Sequence, residues 1–502
     1  MSTEKEKYIL ALDLGTSVAS AVIFNHDGEI FSAASKEFEQ SFPRPGWIEQ
    51  DANELWYSIA SVAYDAISKG KITAADIAGI GITNQRETTI LWNRETGKPI
   101  ASAIVWQDRR TSRICDKLRE QGLEGTIKEK TGLQIDSYFS ATKIMWLLDR
   151  VKGARELAEE GKLAFGTVDS WIIWKFTKGA CHIIDVSNAS RTMLFNINTL
   201  QWDKELLDTM NIPASMLPEV RSSSEVYAHT HPAILGQAIP LAAVIGDQQA
   251  ALFGQQCFEK GMVKNTYNTG CFILMNTGSQ PVYSNHKLIT TIAWQIGDEV
   301  TYALEGSVFN AGTVIQWLRD GLNLIDSFDE IEELAKSEPD SGGVFIVPSF
   351  TGMGAPYWDQ YARGTFFGMN MGTTSGHIAR AALEAIALSS ADVIEAMKAD
   401  TGIAIPEVRV GGSILNETML QFQSDILNVP VVQPLRTVMP SLGAAYLAGL
   451  AVGFWKNTEE LKAQHQIAKT YRAGMEKEKV EYFLKYWKKA VNKTLNWIDP
   501  LD

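Results

Sequence analysis

The chain has 502 residues, of which 45% are hydrophobic and 21% charged, and 46 Lys+Arg against 59 Asp+Glu leave a net charge of −13. That balance excludes the basic footprint of a nucleic-acid binder, and the composition excludes disordered, collagen-like and membrane-embedded chains. At about 150 residues per domain, the length suits about two to four domains.

The N-terminus, Met1 to Lys7, is polar and shows no signal-peptide pattern. Tyr8 to Leu12 reads as a strand ending at the turn Asp13-Leu14-Gly15-Thr16, and Ala19 to Phe24 reads as a second. Asn25-His26-Asp27-Gly28 then turns into a third strand near Glu29 to Ala33. Asp-Gly between two strand patterns is a hairpin signal, so the chain opens as an antiparallel meander. A helix follows. Asp51 can cap it, Glu54 stands at capping-box spacing, and Leu55, Ile59, Val62, Ala63, Ala66 and Ile67 form one apolar face. Gly70 is placed to end it. Ile77 to Ile82 is a short buried strand running into Thr83-Asn84-Gln85-Arg86-Glu87-Thr88. Strands alternating with helices predict an α/β chain.

The opening pattern returns half-way along. Gly261 to Tyr267 leads into the turn Asn268-Thr269-Gly270, then into a strand over Cys271 to Asn276 and a turn at Thr277-Gly278. The recurrence suggests two similar domains with a boundary near 254–261. Leu442 to Trp455 is the longest uncharged apolar run. A bilayer span needs about 20 residues, so this run reads as a buried helix and no membrane span is expected. Cys115, Cys181, Cys257 and Cys271 have neither zinc-ligand spacing nor the density of a disulfide framework. Reduced thiols in a cytoplasmic protein are the simplest expectation.

Neither a Walker A sequence nor a dinucleotide fingerprint follows a strand. The two glycine turns, Asp13-Leu14-Gly15-Thr16 and Asn268-Thr269-Gly270, offer another route to phosphate: close backbone approach, free N–H groups and the Thr hydroxyl. Asp13 could hold a hydrated Mg²⁺ beside them. The alternative is two ordinary hairpin turns. Arg86 and Glu87 sit just past a buried strand, where α/β proteins place ligands, and could grip vicinal hydroxyls. The alternative is a solvated turn. Asp247 ends the apolar stretch Ile239 to Ile245 and suits either a general base or a helix N-cap. Gly411-Gly412-Ser413 precedes a helix starting near Asn416, an arrangement that favours anions. His229 and His231, in a polar loop without nearby Cys or paired carboxylates, read as surface residues.

Together these segments resemble the FGGY family of carbohydrate kinases. The resemblance rests on 81–88 (GITNQRET), 103–107 (AIVWQ), 246–254 (GDQQAALFG), 354–359 (GAPYWD) and 442–449 (LGAAYLAG), with Tyr138 to Arg150 as a further pattern region. It implies two duplicated actin-like (ribonuclease H-like) α/β domains around a cleft, with 1–253 mainly binding glycerol and 254–502 mainly binding the phosphoryl donor. Matched residue by residue, Arg86, Glu87, Tyr138, Asp247 and Gln248 would hydrogen-bond glycerol hydroxyls, and Trp106 and Phe272 would pack on its carbons. Asp247 would be the base for the attacking terminal hydroxyl, giving sn-glycerol 3-phosphate. Gly15, Thr16, Ser17, Thr269, Gly270, Gly312, Gln316, Gly412 and Asn416 would bind the donor, with Mg²⁺ held by Asp13 through water. A homodimer or homotetramer also fits the family.

The donor side departs from the glycerol-phosphorylating members. Their Thr-Ser-Ser-Arg after Gly-Thr is here Ser17-Val18-Ala19-Ser20, so two hydroxyls and a guanidinium are gone. Gly-Thr-Gly becomes Asn268-Thr269-Gly270, Asp-Gly-Gly shortens to Gly411-Gly412, Glu-Thr-Thr-Ala becomes Val438 to Ser441, and Asn310 replaces a common apolar residue. Three readings follow: a kinase using ATP, the same transfer from a non-nucleotide donor such as pyrophosphate, and a catalytically weak glycerol-binding regulatory protein.

Overall fold

Tyr8–Leu14 (β1) is apolar at nearly every position and buried on both faces, as a strand covered by layers on either side must be. In the computed structural model, which describes residues 6–499, it lies at the centre of a half-sheet. Val18–Phe24 (β2) pairs antiparallel with β1, and Ile30–Glu37 (β3) antiparallel with β2, which is the expected meander. Ile77–Asn84 (β4) lies parallel to β1 on its other edge. Ser224–His229 (β5) then leads to Pro240–Gly246 (β6), which lies parallel to β4. The order is β3-β2-β1-β4-β6.

The second half repeats this plan. Val263–Tyr267 (β7) pairs antiparallel with Cys271–Gly278 (β8), the strand Ile289–Ile296 (β9) follows, and Glu299–Val308 (β10) pairs antiparallel with β8. Val408–Gly412 (β11) runs parallel to β7 and Val431–Pro434 (β12) parallel to β11. The order β10-β8-β7-β11-β12 has the same sequence of directions as the first half. β9 meets β5 at a single register pair, Ser224 with Ile296, and Ile467–Tyr471 (β13) closes the far edge of one thirteen-stranded sheet. This is the duplicated actin-like α/β architecture.

Seven helices matter for the site: Ala52–Lys69 (α1), Ser140–Arg150 (α2), Asp247–Gly254 (α3), Gly312–Asp320 (α4), Ser375–Thr401 (α5), Glu417–Leu427 (α6) and Met439–Ala451 (α7). Asp51 caps α1, but its carboxylate accepts from Asn53 N at 2.7 Å, and the capping box with Glu54 does not close among the described residues. Gly70 ends α1 in right-handed backbone, and Lys71 takes the left-handed position at φ 53°. Leu442 to Ala451 of the expected helical run lie in α7, while Val452 to Trp455 follow it as a turn, and no helix among the described residues is long and apolar enough to cross a membrane. His229 ends β5 and His231 caps a short helix, so the polar loop expected there is more ordered; both stay exposed.

Although α7 comes from the second half, it packs on the first. Leu442, Ala444, Ala445 and Ala448 join Ile9, Ala11, Ala243 and Ile245 in one buried cluster. α3 and α7 cross with backbone against backbone. A Cβ on Gly443 would lie 1.9 Å from Ala250 O, and one on Gly254 would lie 2.2 Å from Met439 O. Only hydrogen fits at this crossing.

Candidate active site

Three parallel strands end side by side. Asp13 of β1 pairs in register with Thr83 of β4, and Asn84 pairs with Gly246 of β6. The chain turns into Gln85-Arg86-Glu87 after β4 and into Asp247 after β6, so all these groups meet at the carboxyl ends of the strands. In the second half, Tyr267 pairs with Gly412, so the loops after β7 and β11 are neighbours too.

Arg86 and Glu87 are buried, at 3% and 1% exposure, which disposes of the solvated-turn reading. Glu87 holds left-handed backbone at φ 61°, a conformation costly outside glycine and one that marks functional turns. The two residues do not chiefly pair with each other. Arg86 Nη1 donates to Glu305 Oε2 at 2.5 Å and Nη2 to Glu305 Oε1 at 2.9 Å. Nη1 also reaches Gln249 Oε1 (3.1 Å) and Nη2 reaches the Tyr138 hydroxyl (3.3 Å). Glu87 Oε1 accepts from Arg191 Nε at 2.6 Å, and Arg191 Nη2 donates to Glu305 Oε1 at 3.0 Å. Two carboxylates and two guanidinium groups thus offset one another, which is what allows four charges to be buried. Burial by itself would raise the Glu305 carboxyl, but Arg191 and Arg86 hold it down at about 2. In Glu87 burial outweighs its two arginines and the pKa is raised.

Asp247 is the first residue of α3 rather than its N-cap, which is Gly246. Its Oδ1 accepts from Gln248 N at 2.7 Å and lies 3.4 Å from Arg86 Nε. The side chain is one-quarter exposed, so it faces open space. Burial raises its pKa, against Arg86 and Lys264, and a raised carboxylate is a better proton acceptor. Asp13 lies close enough that the Asp247 charge, after burial, helps push its carboxyl up to about 7, while Ser441 Oγ donates to it at 3.3 Å.

Trp106, Tyr138 and Phe272 wall the same space. Ring centroids of Trp106 lie 5.6 Å from Tyr138 and 6.2 Å from Phe272, in edge-to-face geometry. Lys143 of α2 donates to the Tyr138 carbonyl and so fixes that loop. Trp106 Nε1 donates to Thr16 Oγ1 at 3.0 Å, tying this wall to the first glycine turn. The Thr16 hydroxyl accepts there and keeps its own proton free to donate. Lys264 of β7 is buried and donates to Gln248 Oε1, Thr266 Oγ1 (3.0 Å) and Phe272 O (3.2 Å). Burial pushes its pKa down to about 7, against Glu305 and Asp247.

The second glycine turn is no simple hairpin. Ala311 N and Thr313 N donate to Thr269 O at 2.9 and 3.3 Å, and Gly312 N to Asn268 O at 3.0 Å. Asn268 Oδ1 accepts from Ser413 N (3.0 Å) and Ser413 Oγ (3.1 Å). The departures at 268 and 411–413 therefore meet in one clamp. A Cβ on Gly312 would lie 2.8 Å from Asn268 O, and one on Gly270 would lie 2.5 Å from Val308 O. Asn416 caps α6 through Met419 N at 3.1 Å, so its side chain is engaged locally. Gln316 stands on the exposed side of α4. Gly15, Thr16 and Ser17 belong to the β1–β2 turn, closed by Gly15 N to Val18 O at 3.0 Å.

The model of the FGGY family of carbohydrate kinases, N-terminal domain, matches residues 8–254, and that of its C-terminal domain matches 263–452. The chain belongs to the FGGY family of carbohydrate kinases. This FGGY kinase is 57% identical over 496 residues to glycerol kinase of Burkholderia ambifaria and to that of Paraburkholderia xenovorans, covering 99% of each chain. It superposes on the crystal structure of Plasmodium falciparum glycerol kinase with ADP at a TM-score of 0.92, with 36% identity over 98% of both chains. The ligand-bound xylulose kinase of Lactobacillus acidophilus shares the fold at a TM-score of 0.88 and 22% identity, over 97% of this chain and 98% of that one. The protein is thus an enzyme, a phosphotransferase with an alcohol acceptor.

Residue reading missed Glu305, Arg191 and Lys264 of this FGGY kinase. A signal existed: each is a charge inside a segment that is otherwise buried, and a buried charge must be paired. Their partners lie in distant parts of the sequence, so no local spacing could reveal the pairing.

Proposed function

We propose that this FGGY kinase transfers the terminal phosphoryl group of ATP to a terminal hydroxyl of glycerol, giving sn-glycerol 3-phosphate. One observation carries the reading: a one-quarter exposed Asp247 stands beside Arg86 and Gln248, with Glu87 and Tyr138 on Arg86 and the rings of Trp106 and Phe272 packed by Tyr138. Fixed polar groups suit a three-carbon polyol, since an analogue lacking a hydroxyl leaves a buried partner unpaired. The glycerol kinase relatives support this acceptor, and the ADP-bound relative supports a nucleotide donor.

In this reading residues 1–253 supply most acceptor contacts and 254–502 most donor contacts. Asp247 removes the proton of the attacking hydroxyl as the phosphoryl group leaves, and Arg86 and Lys264 keep it available as a carboxylate. Thr16, Thr269 and Gly270 present hydroxyl and backbone donors to the phosphates. Asp13 would hold Mg²⁺. Two neighbouring carboxylates, one lifted to about 7 by burial and by the charge of the other, fit a cation that takes one or two carboxylates plus phosphate oxygens. When bound, Mg²⁺ offsets phosphate charge. The same reading sets the enzyme in the cytoplasm, where its four free thiols persist, and as a homodimer or homotetramer.

A second reading takes pyrophosphate as donor, because Ser17-Val18-Ala19-Ser20 and the Asn268–Ser413 clamp alter the donor side alone. Glycerol 3-phosphate is to be measured with Mg²⁺ and ATP or pyrophosphate in parallel. ATP-driven turnover, lost in Asp247→Asn with glycerol binding retained, is expected. Turnover from pyrophosphate with little from ATP would replace the donor, and glycerol binding without turnover from either would make this a regulatory protein.

A further inference from the structure

Gln248 and Lys264 are joined in a way that dictates how the pocket can hold its acceptor, an inference that rests on the glycerol reading above. Below about pH 7 Lys264 is an ammonium group, with three protons and no acceptor. Lys264 Nζ has three oxygens to receive those protons: Gln248 Oε1, Thr266 Oγ1 and Phe272 O. The amide of Gln248 therefore has only one orientation, with oxygen towards Lys264 and nitrogen away from it. Gln248 Nε2 has no protein partner among the described residues. Its residue is 9% exposed and adjoins Asp247, which opens onto the same space.

The same accounting covers the other contacts. The Tyr138 hydroxyl oxygen accepts from Arg86 Nη2, so its own proton is free to be donated. Glu87 Oε1 is taken by Arg191, which leaves Oε2 to accept. Both Nη groups of Arg86 are committed to Glu305, Gln249 and Tyr138, and only Nε still faces Asp247.

We propose that Lys264 is a positioning residue for the acceptor: it fixes Gln248 as an obligate hydrogen-bond donor to a substrate hydroxyl oxygen. The pocket then has a set polarity. Gln248 and Tyr138 donate, while Glu87 and Asp247 accept. The class of acceptor it selects is a polyol whose neighbouring hydroxyls serve as acceptor at one oxygen and donor at the next.

The test is a double-mutant cycle on the full-length enzyme with Lys264→Met, Gln248→Ala and the pair, read as KM for glycerol, KM for ATP and calorimetric glycerol affinity. Losing one charge-supported hydrogen bond weakens glycerol by about ten- to hundredfold. Each single change is expected to cost that much, the pair no more than Gln248→Ala alone, and KM for ATP should stay within about twofold throughout. Gln248→Glu at pH 6, where Lys264 is an ammonium, is the second arm: it offers oxygen only, so glycerol affinity should fall by the same factor. Additive single effects, or a Gln248→Glu enzyme that keeps its glycerol KM, would overturn the proposal while leaving the glycerol reading intact. Wild-type enzyme that neither binds nor phosphorylates glycerol would overturn both. If Lys264→Met does not fold, the Gln248→Glu arm decides.

Discussion

Glu305 lies in the second half of the chain and grips Arg86 of the first with both carboxylate oxygens, at 2.5 and 2.9 Å. The arginine beside Asp247 is thus aimed by a strand of the second half. Arg191 leans on the same carboxylate at 3.0 Å, so Glu305 carries two guanidinium groups.

Replacing Glu305 with Gln should therefore strand two buried cations. Breaking a buried pair from one side costs about 3–5 kcal/mol, and KM for glycerol should rise with it as Arg86 swings free. Denaturant unfolding and glycerol kinetics check this. The carboxyl sits at about 2, below its ordinary value, so the stability it contributes is fully present above about pH 4.5 and is lost progressively as pH falls through about 2. Mild acid should leave the network whole.

Asp13 behaves in the opposite sense. Burial and the Asp247 charge raise its carboxyl to about 7. Between its unfolded value and 7 the folded protein holds a proton that the unfolded chain has released, so this group lowers stability as pH rises to 7. Asp13→Asn should raise Tm by a few degrees at pH 8, change it little at pH 5, and abolish turnover. In the wild type, apparent Mg²⁺ affinity should fall about tenfold per pH unit below about 7, where a metal must displace the proton. Mg²⁺ titrations at pH 6 and pH 8 test that directly.

Ser20 is in register with Asp13 across β1 and β2, and paired residues project to the same face of a sheet. Ser20→Arg would place a guanidinium beside Asp13, aimed at the phosphate turn. KM for ATP should drop by about tenfold, the value of a charged hydrogen bond to phosphate, with KM for glycerol unchanged. An unchanged or higher KM for ATP would mean that the donor side has been rebuilt around the serine.

Gly443→Ala tests the α3–α7 crossing. Its methyl would press on Ala250 O, backbone that cannot rotate away, so the helices must part. Overpacking of this kind costs about 1–3 kcal/mol. Because α3 starts at Asp247, kcat should fall more than stability alone accounts for, as seen by comparing kcat with Tm.

Local pattern in the sequence was enough for the β1–β2–β3 meander, the helix capped by Asp51, the buried run of α7 and the return of a strand–turn–strand unit at 263–278. Each depends on side-chain periodicity, a cap or a turn residue, which are interactions between near neighbours. The same locality placed Asp13, Arg86 and Asp247 at strand ends, because a polar residue closing an apolar run is visible without the fold. The family resemblance pointed to Trp106, Tyr138, Gln248 and Phe272, which the fold brings beside them. Their partners were decided by tertiary structure. Glu305 meets Arg86 and Lys264 meets Gln248 only after two half-sheets join edge to edge, Arg191 meets Glu87 only when two distant segments of the first half fold together, and Asn268 finds Ser413 only because β7 and β11 pair in parallel. Charge neutralisation inside a protein acts through space, between groups that chain order leaves far apart. That is why the sequence could name the residues of this pocket and only the folded chain could set which of them donate, which accept and which hold the others in place.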